Sequence, residues 1–179
     1  AKCSTEKVFP DAIIKNSDDR KITKLIEDLN KGLVKGIIMA GVNPVYTLPE
    51  SKDFISGLSK AEFSICFSMK NDETASLSKW VAASPHSLES WGDNELVYGK
   101  YNLTQPTIRP LFDTKQFQDC LLNWIGSSQS FYEFIKDNWQ KNIIKGSTWN
   151  QVLHDGFYDS ETRQVLKKQI INPLERAKS

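Results

Sequence analysis

Chemistry in this chain of 179 residues would have to come from three short segments in which polar side chains and turn-forming residues crowd together. The first is Gly41-Val42-Asn43-Pro44-Val45-Tyr46-Thr47-Leu48-Pro49. Glycine lets backbone approach a ligand closely, and asparagine offers both a donor and an acceptor. The same residue types also build ordinary tight turns, so a purely structural role stands beside the functional one. The second segment, Asn71-Asp72-Glu73-Thr74, presents amides at a helix start and side-chain acceptors for a hydroxyl or a base edge, although Asp72 and Glu73 equally complement a helix dipole. The third holds Ser84, His86, Glu89, Trp91 and Asp93. Ser84, His86 and Asp93 are the residue types of a hydrolytic triad, but they crowd one loop and lack the strand-turn-helix motif that exposes a nucleophile. Glu89 with Asp93 as an acid-base pair, or His86 with His154 as metal ligands, would need partners that the spacing does not supply. The three cysteines, Cys3, Cys66 and Cys120, form no C-x-x-C pair, which argues against both a disulfide framework and an iron-sulfur site. Cys66, inside Phe63-Ser64-Ile65-Cys66-Phe67, reads as a small buried thiol.

All three segments follow runs that read as strands. Ser17 to Gly32 has a capping residue in Ser17 or Asp18, and Ile22, Leu25, Ile26 and Leu29 repeat at helical spacing. Val34 to Ala40 is an apolar, branched run relieved only by Lys35, the pattern of a strand covered on both faces. A helix is expected from Ser51 to Lys60, a strand from Glu62 to Met69, a short helix after Asn71, and a strand from Trp80 to Ala83. Helix, strand, helix, strand, helix, strand is the order of right-handed crossovers in a parallel, doubly wound sheet, with Ile37, Ile38, Ile65 and Phe67 expected in its core. In such sheets ligands sit beyond the carboxyl ends of the strands, where the three polar segments fall. From Ser84 to Thr114 periodicity is replaced by turn residues, and this stretch is expected to be ordered by contacts rather than by strand ladders of its own. Helical spacing returns over Gln116–Ile125, Phe131–Trp139, Trp149–His154 and Glu161–Ile171. The five tryptophans are expected in core or interface positions.

Composition narrows the classes further. Twenty-three basic against twenty-two acidic side chains leave a formal net charge of +1, too little field to draw in a polyanion, so nucleic acid is not an expected partner. The longest apolar stretches fall far short of the roughly 20 residues that cross a bilayer, so direct membrane insertion is not expected either. Gly41 has no companion glycine at dinucleotide-fingerprint spacing, which weakens the case for a free-standing enzyme acting on a small nucleotide. The N-terminus, with neither methionine nor the layout of a secretory signal, fits a processed product or a piece of a larger chain.

Taken in order, Gly41-Val42-Asn43-Pro44, Glu73-Thr74-Ala75, the strand Trp80–Ala83 with Ser84-Pro85, and Glu89-Ser90-Trp91-Gly92-Asp93 resemble the molybdopterin oxidoreductase superfamily. In that superfamily G-x-N-P, E-T-A, a strand ending A-D-x-x-L-P and a glutamate-glycine loop follow one another. Leu88-Glu89-Ser90-Trp91-Gly92-Asp93, Tyr98-Gly99 and Gln105-Pro106-Thr107-Ile108-Arg109-Pro110-Leu111 look more like one branch, the large iron-sulfur, molybdopterin-like subunit of bacterial alternative complex III, a quinol oxidoreductase. Two departures stand out: Lys79 lies where the superfamily has an aspartate, and Trp91-Gly92-Asp93 replaces its glycine-threonine. The resemblance implies a Rossmann-like α/β domain at residues 1–126, of the formate dehydrogenase/DMSO reductase type, with a helical extension at 127–179 that packs on it or links to the next domain. It implies an oxidoreductase-derived piece with no catalytic residue or metal site of its own. Its partners would be other domains of the parent protein and subunits of a respiratory complex on the periplasmic side of a bacterial inner membrane. No cofactor is expected in the chain alone. If the ancestral site is retained in the parent, Gly41, Asn43, Pro44, Glu73, Thr74, Glu89 and Gly92 would contact one molybdopterin guanine dinucleotide.

Overall fold

The computed structural model describes residues 18–160; the helix expected over 161–171 lies outside the described residues. Helix α1 (Asp19–Asn30) starts where the Asp18 carboxylate accepts the Arg20 amide, and it turns Ile26 and Leu29 inward. Strand β1 (Gly36–Ala40) follows, then the single turn α2 (Pro44–Thr47), helix α3 (Ser51–Lys60), strand β2 (Phe63–Ser68), the short helix α4 (Glu73–Leu77) and strand β3 (Trp80–Ala83). The three strands are parallel in the order β1-β2-β3, with Ile38 opposite Ile65 and Ile65 opposite Trp80. The expected parallel sheet with helical crossovers is therefore present.

Right-handed crossovers that step in one direction lay their helices on one face of a sheet. Helix α1 joins α3 there: the Asn30 side-chain amide donates to the Asp53 carbonyl and the Lys60 ammonium to the Asn30 carbonyl, both over 2.8 Å. Gly57 makes the close approach possible, since a Cβ there would stand 2.7 Å from Leu29 Cβ. Beneath these helices Leu29, Met39, Phe54, Leu58, Cys66 and Ala75 form the first core. The opposite face is covered only in part. There Phe67 meets Phe117 and Trp124 of α5 (Phe117–Trp124), with ring centroids 4.7 and 6.0 Å away.

Two expectations need correction. Ile38 is 47% exposed, because no described element lies over its side of β1; Phe67 is buried, and Ile37 and Ile65 are only partly so. The region expected to lack ladders contains an antiparallel hairpin, β4 (Gly92–Val97) and β5 (Lys100–Thr104), turned by Tyr98-Gly99 with Gly99 at φ 77°. Strand β6 (Phe157–Asp159) adds antiparallel to β5, so the segment after residue 126 carries a strand as well as helices. The polar run Gly92-Asp93-Asn94-Glu95 hid β4, whose inward contacts are polar: Asp93 accepts the Trp139 indole N–H at 2.7 Å, and Glu95 accepts the Gly99 amide. Helix α6 (Phe131–Asn138), a π-helical turn (Trp139–Ile143) and α7 (Trp149–Asp155) complete a second core of Leu103, Ile135, Trp139, Trp149 and Val152. Among the described residues no helix is long and apolar enough to cross a membrane.

Candidate functional site

The carboxyl ends of the three parallel strands open onto a crevice of about 590 Å³. Gly41, Val42 and Asn43 line it after β1, Phe67 to Lys70 with Asp72 after β2, and Ser84 with Pro85 after β3. This is the position that the topology of parallel sheets gives to a ligand, and the volume lies within the range of small-molecule sites. Of the residues named from sequence, Gly41 and Asn43 line the crevice, together with Asp72 and Ser84. Met69 closes the expected strand and Lys70 falls between it and the Asn71 segment, so neither stood among the candidates, although the rule that loops after strands carry ligands points at both.

Gly41 turns the chain at φ 65° as it leaves β1, a conformation in which side-chain-bearing residues are strained. Asn43 then sits at the N-cap of α2 with Pro44 in the first turn, but its side chain makes no cap bond. Instead its amide nitrogen donates to Glu73 at 2.8 Å, and its carbonyl oxygen accepts the Thr74 hydroxyl at 2.6 Å. The Thr74 oxygen in turn accepts the Val45 amide at 3.1 Å, so Thr74, fully buried, caps α2 from a neighbouring helix. Through Asn43, the bonds to Glu73 and Thr74 tie the turn after β1 to the helix after β2, while Glu73 stays exposed.

The carboxylates nearby are equally engaged. Asp72 caps α4 by accepting the Ala75 amide, and its other oxygen accepts the Ser68 hydroxyl, each at 2.9 Å. These bonds, the Ala75 amide first, hold the Asp72 carboxyl below its ordinary range, and the Asn43 amide does the same for Glu73. Both are ionised at neutral pH and serve as acceptors rather than proton donors. Burial pushes the Cys66 thiol in the opposite direction, away from a reactive thiolate.

Glu89 and Gly92 do not join this set. One Glu89 oxygen accepts the His86 amide in a capping box and the other the Leu111 amide, while Gly92 opens β4 opposite Thr104. His86 Nδ1 accepts the Leu88 amide and Asp93 holds the Trp139 indole, so Ser84, His86 and Asp93 form no triad. His154 lies against Asp155. Among the described residues no group of three or more His, Cys, Asp or Glu side chains is placed to hold a metal ion. A second cleft, of about 350 Å³, is lined by Glu95, Tyr98, Gly99, Tyr101, Ile143 and Lys145; Tyr98 and Gly99 belong to the resemblance motifs, but none of the candidate cofactor-binding residues lines it.

No family model matches the chain. A curated relative, the menaquinone reductase molybdopterin-binding-like subunit of Nitratidesulfovibrio vulgaris, is 36% identical over 92 residues, which are 49% of this chain and 13% of that protein. Among solved structures, acetylene hydratase from Pelobacter acetylenicus superposes with a TM-score of 0.61 over 78% of this chain and 20% of its own, at 19% identity. The second likeness is one of fold. The chain spans about an eighth of the relative and a fifth of the structural neighbour. The relative's name agrees with the molybdopterin oxidoreductase superfamily resemblance carried by the four sequence motifs.

Proposed function

We propose that the chain is a scaffolding domain of a molybdopterin oxidoreductase-like subunit in a respiratory quinol oxidoreductase of the alternative complex III type, without a redox centre of its own. In this reading the Rossmann-like part ends near residue 126, and the described part of the C-terminal extension, residues 127–160, packs against β4 and β5 through the second core. The complex would lie on the periplasmic side of a bacterial inner membrane, and this domain would contact other domains and subunits there. The observation that carries this reading is the run of bonds from Glu73 through Asn43 and Thr74 to the Val45 amide. These bonds fix two loops to each other, which is a structural role. Glu89 is engaged as well, by the His86 amide of its own turn and by the distant Leu111 amide. In this reading the engaged side chains serve the fold rather than a pterin guanine dinucleotide, and no step is derived through that group.

One observation favours a second reading, a domain that binds one molybdopterin guanine dinucleotide within an active enzyme: the 590 Å³ crevice at the strand ends, with Lys70 at its edge. Calorimetric titration of GMP and GDP into the chain separates the two. The scaffold reading expects no saturable heat. Saturable binding that is lost in Lys70→Ala and Ser84→Ala would move the conclusion to the second reading.

A further inference from the structure

We propose that the cleft between the Tyr98-Gly99 turn and the segment 139–145 binds a small zwitterion of the α-amino acid class, with Glu95 at its ammonium and Lys145 at its carboxylate; the scaffold role above does not use this site. Strand β4 carries one extra residue, Leu96, between the pairs Glu95–Tyr101 and Val97–Lys100. Such bulges re-aim neighbouring side chains and are common beside binding sites. Glu95 is half-buried opposite Tyr101, and one of its oxygens accepts the Gly99 amide at 2.8 Å, which fixes the carboxylate against the hairpin turn. The other wall is the π-helical turn Trp139–Ile143, closed by the Ile144 amide donating to the Trp139 carbonyl. Both ends of that wall are pinned to the antiparallel sheet. The Trp139 indole donates to Asp93 of β4 at 2.7 Å, and the Tyr158 hydroxyl of β6 accepts the Lys145 amide and donates to the Lys145 carbonyl, each at 2.8 Å. Bonds on both walls therefore shape the 350 Å³ between them, and π turns of this kind are frequent at functional sites.

The charges choose the ligand class. Glu95 and Lys145 line one cleft without meeting: among the described residues neither enters an ion pair. A ligand with a single charge would leave the other side chain uncompensated in a space it has partly dried, whereas a zwitterion satisfies both and adds no net charge. Asn142 donates its amide to Asn138 at 2.8 Å, which leaves its carbonyl oxygen to accept from the ammonium. Ile143 and the half-open Tyr98 ring supply apolar surface for a side chain. The volume sits at the lower end of the roughly 300–1,000 Å³ of small-molecule sites, so a free amino acid fits where a helix about 10 Å across does not.

The test is calorimetric titration of the chain, supported by ligand-observed NMR, with L-leucine and with its two single-charge analogues, isocaproate and isoamylamine. L-Leucine should bind saturably at millimolar concentration, and each analogue at least about tenfold more weakly, because a charge-assisted hydrogen bond is lost with each missing group. Glu95→Gln and Lys145→Met should each weaken L-leucine by about tenfold or more, while Lys52→Met on exposed α3 leaves it unchanged; circular dichroism verifies the fold of each. Glu95 also holds the Gly99 amide, so Lys145→Met, which removes no bond among the described residues, keeps the test free of any loosening of the hairpin. Absence of saturable binding overturns the proposal, whether the cleft is open or filled by the chain's own residues. Equal affinity for either analogue overturns the zwitterion, and binding indifferent to both Glu95→Gln and Lys145→Met overturns the site. None of these results touches the scaffold reading, which GMP and GDP test at the other crevice.

Discussion

Replacing Thr74 by valine tests the bonds that tie the two loops together at the strand ends. Valine matches the shape of threonine, so no cavity forms and the change isolates the hydroxyl, which lies in a side chain with no exposed surface. Two bonds vanish, the 2.6 Å donation to Asn43 and the 3.1 Å acceptance from the Val45 amide. Each is worth about 1 kcal/mol net, and leaving a half-buried amide without its acceptor adds about 1–3 kcal/mol. The Asn43 carbonyl is partly exposed and can turn to water, so its loss adds little. The expected cost is about 3 kcal/mol. With a urea dependence near 2 kcal/mol per molar, the midpoint of unfolding should fall by about 1.5 M. Thr74→Ser keeps the hydroxyl and loses one buried methyl, which costs about 1 kcal/mol and shifts the midpoint by about 0.5 M. Urea titration followed by tryptophan fluorescence measures all three proteins. A valine variant as stable as the serine variant would refute the reasoning, because the hydroxyl would then hold nothing together.

Gly57→Ala should destabilise by about 1–2 kcal/mol: the helix-propensity gain of about 0.5–1 kcal/mol is outweighed by overpacking against Leu29 Cβ at 2.7 Å, and a raised melting temperature would contradict this. Asp72 and Glu73 have carboxyls held below their ordinary values of 3.8 and 4.5, so the stability they contribute is present above those values and is lost as pH falls through the depressed ones. Wild-type urea midpoints should therefore drop steeply below about pH 4, and Asp72→Asn should flatten that limb; an unchanged acid limb would count against the capping role. Cys66, buried and with its thiol pushed up by that burial, should react with a disulfide reagent only at the rate of unfolding. Rapid modification mapped to Cys66 would contradict its place beneath α1 and α3.

Much of the parallel half was legible because its signals are local. Ser51–Lys60 and Trp80–Ala83 have the bounds read from periodicity, and Asp18 caps α1 as its type and position suggest. The hairpin was harder. Lys100-Tyr101-Asn102-Leu103-Thr104 alternates cleanly between polar and apolar, but its partner strand turns polar atoms inward, and only the distant Trp139 explains why Asp93 belongs there. Ile38 misled for the opposite reason: an apolar strand residue signals burial by some surface without saying that the surface belongs to the same stretch of chain. At the site, sequence order found Gly41, Asn43, Glu73 and Thr74, but whether such groups face a ligand or one another is decided by a contact thirty positions long. The capping of α2 by Thr74 has no sequence signature, because cap patterns are read within a few residues of the helix they serve.

The central claim, that this domain scaffolds without a pterin, is tested most directly by metal and pterin analysis of the full-length polypeptide purified from its native source. Molybdenum and tungsten are measured by mass spectrometry and pterin by the fluorescence of its oxidised form, each against protein concentration. The account predicts no stoichiometric metal or pterin in the polypeptide. One metal per polypeptide, accompanied by a releasable pterin guanine dinucleotide, would contradict it.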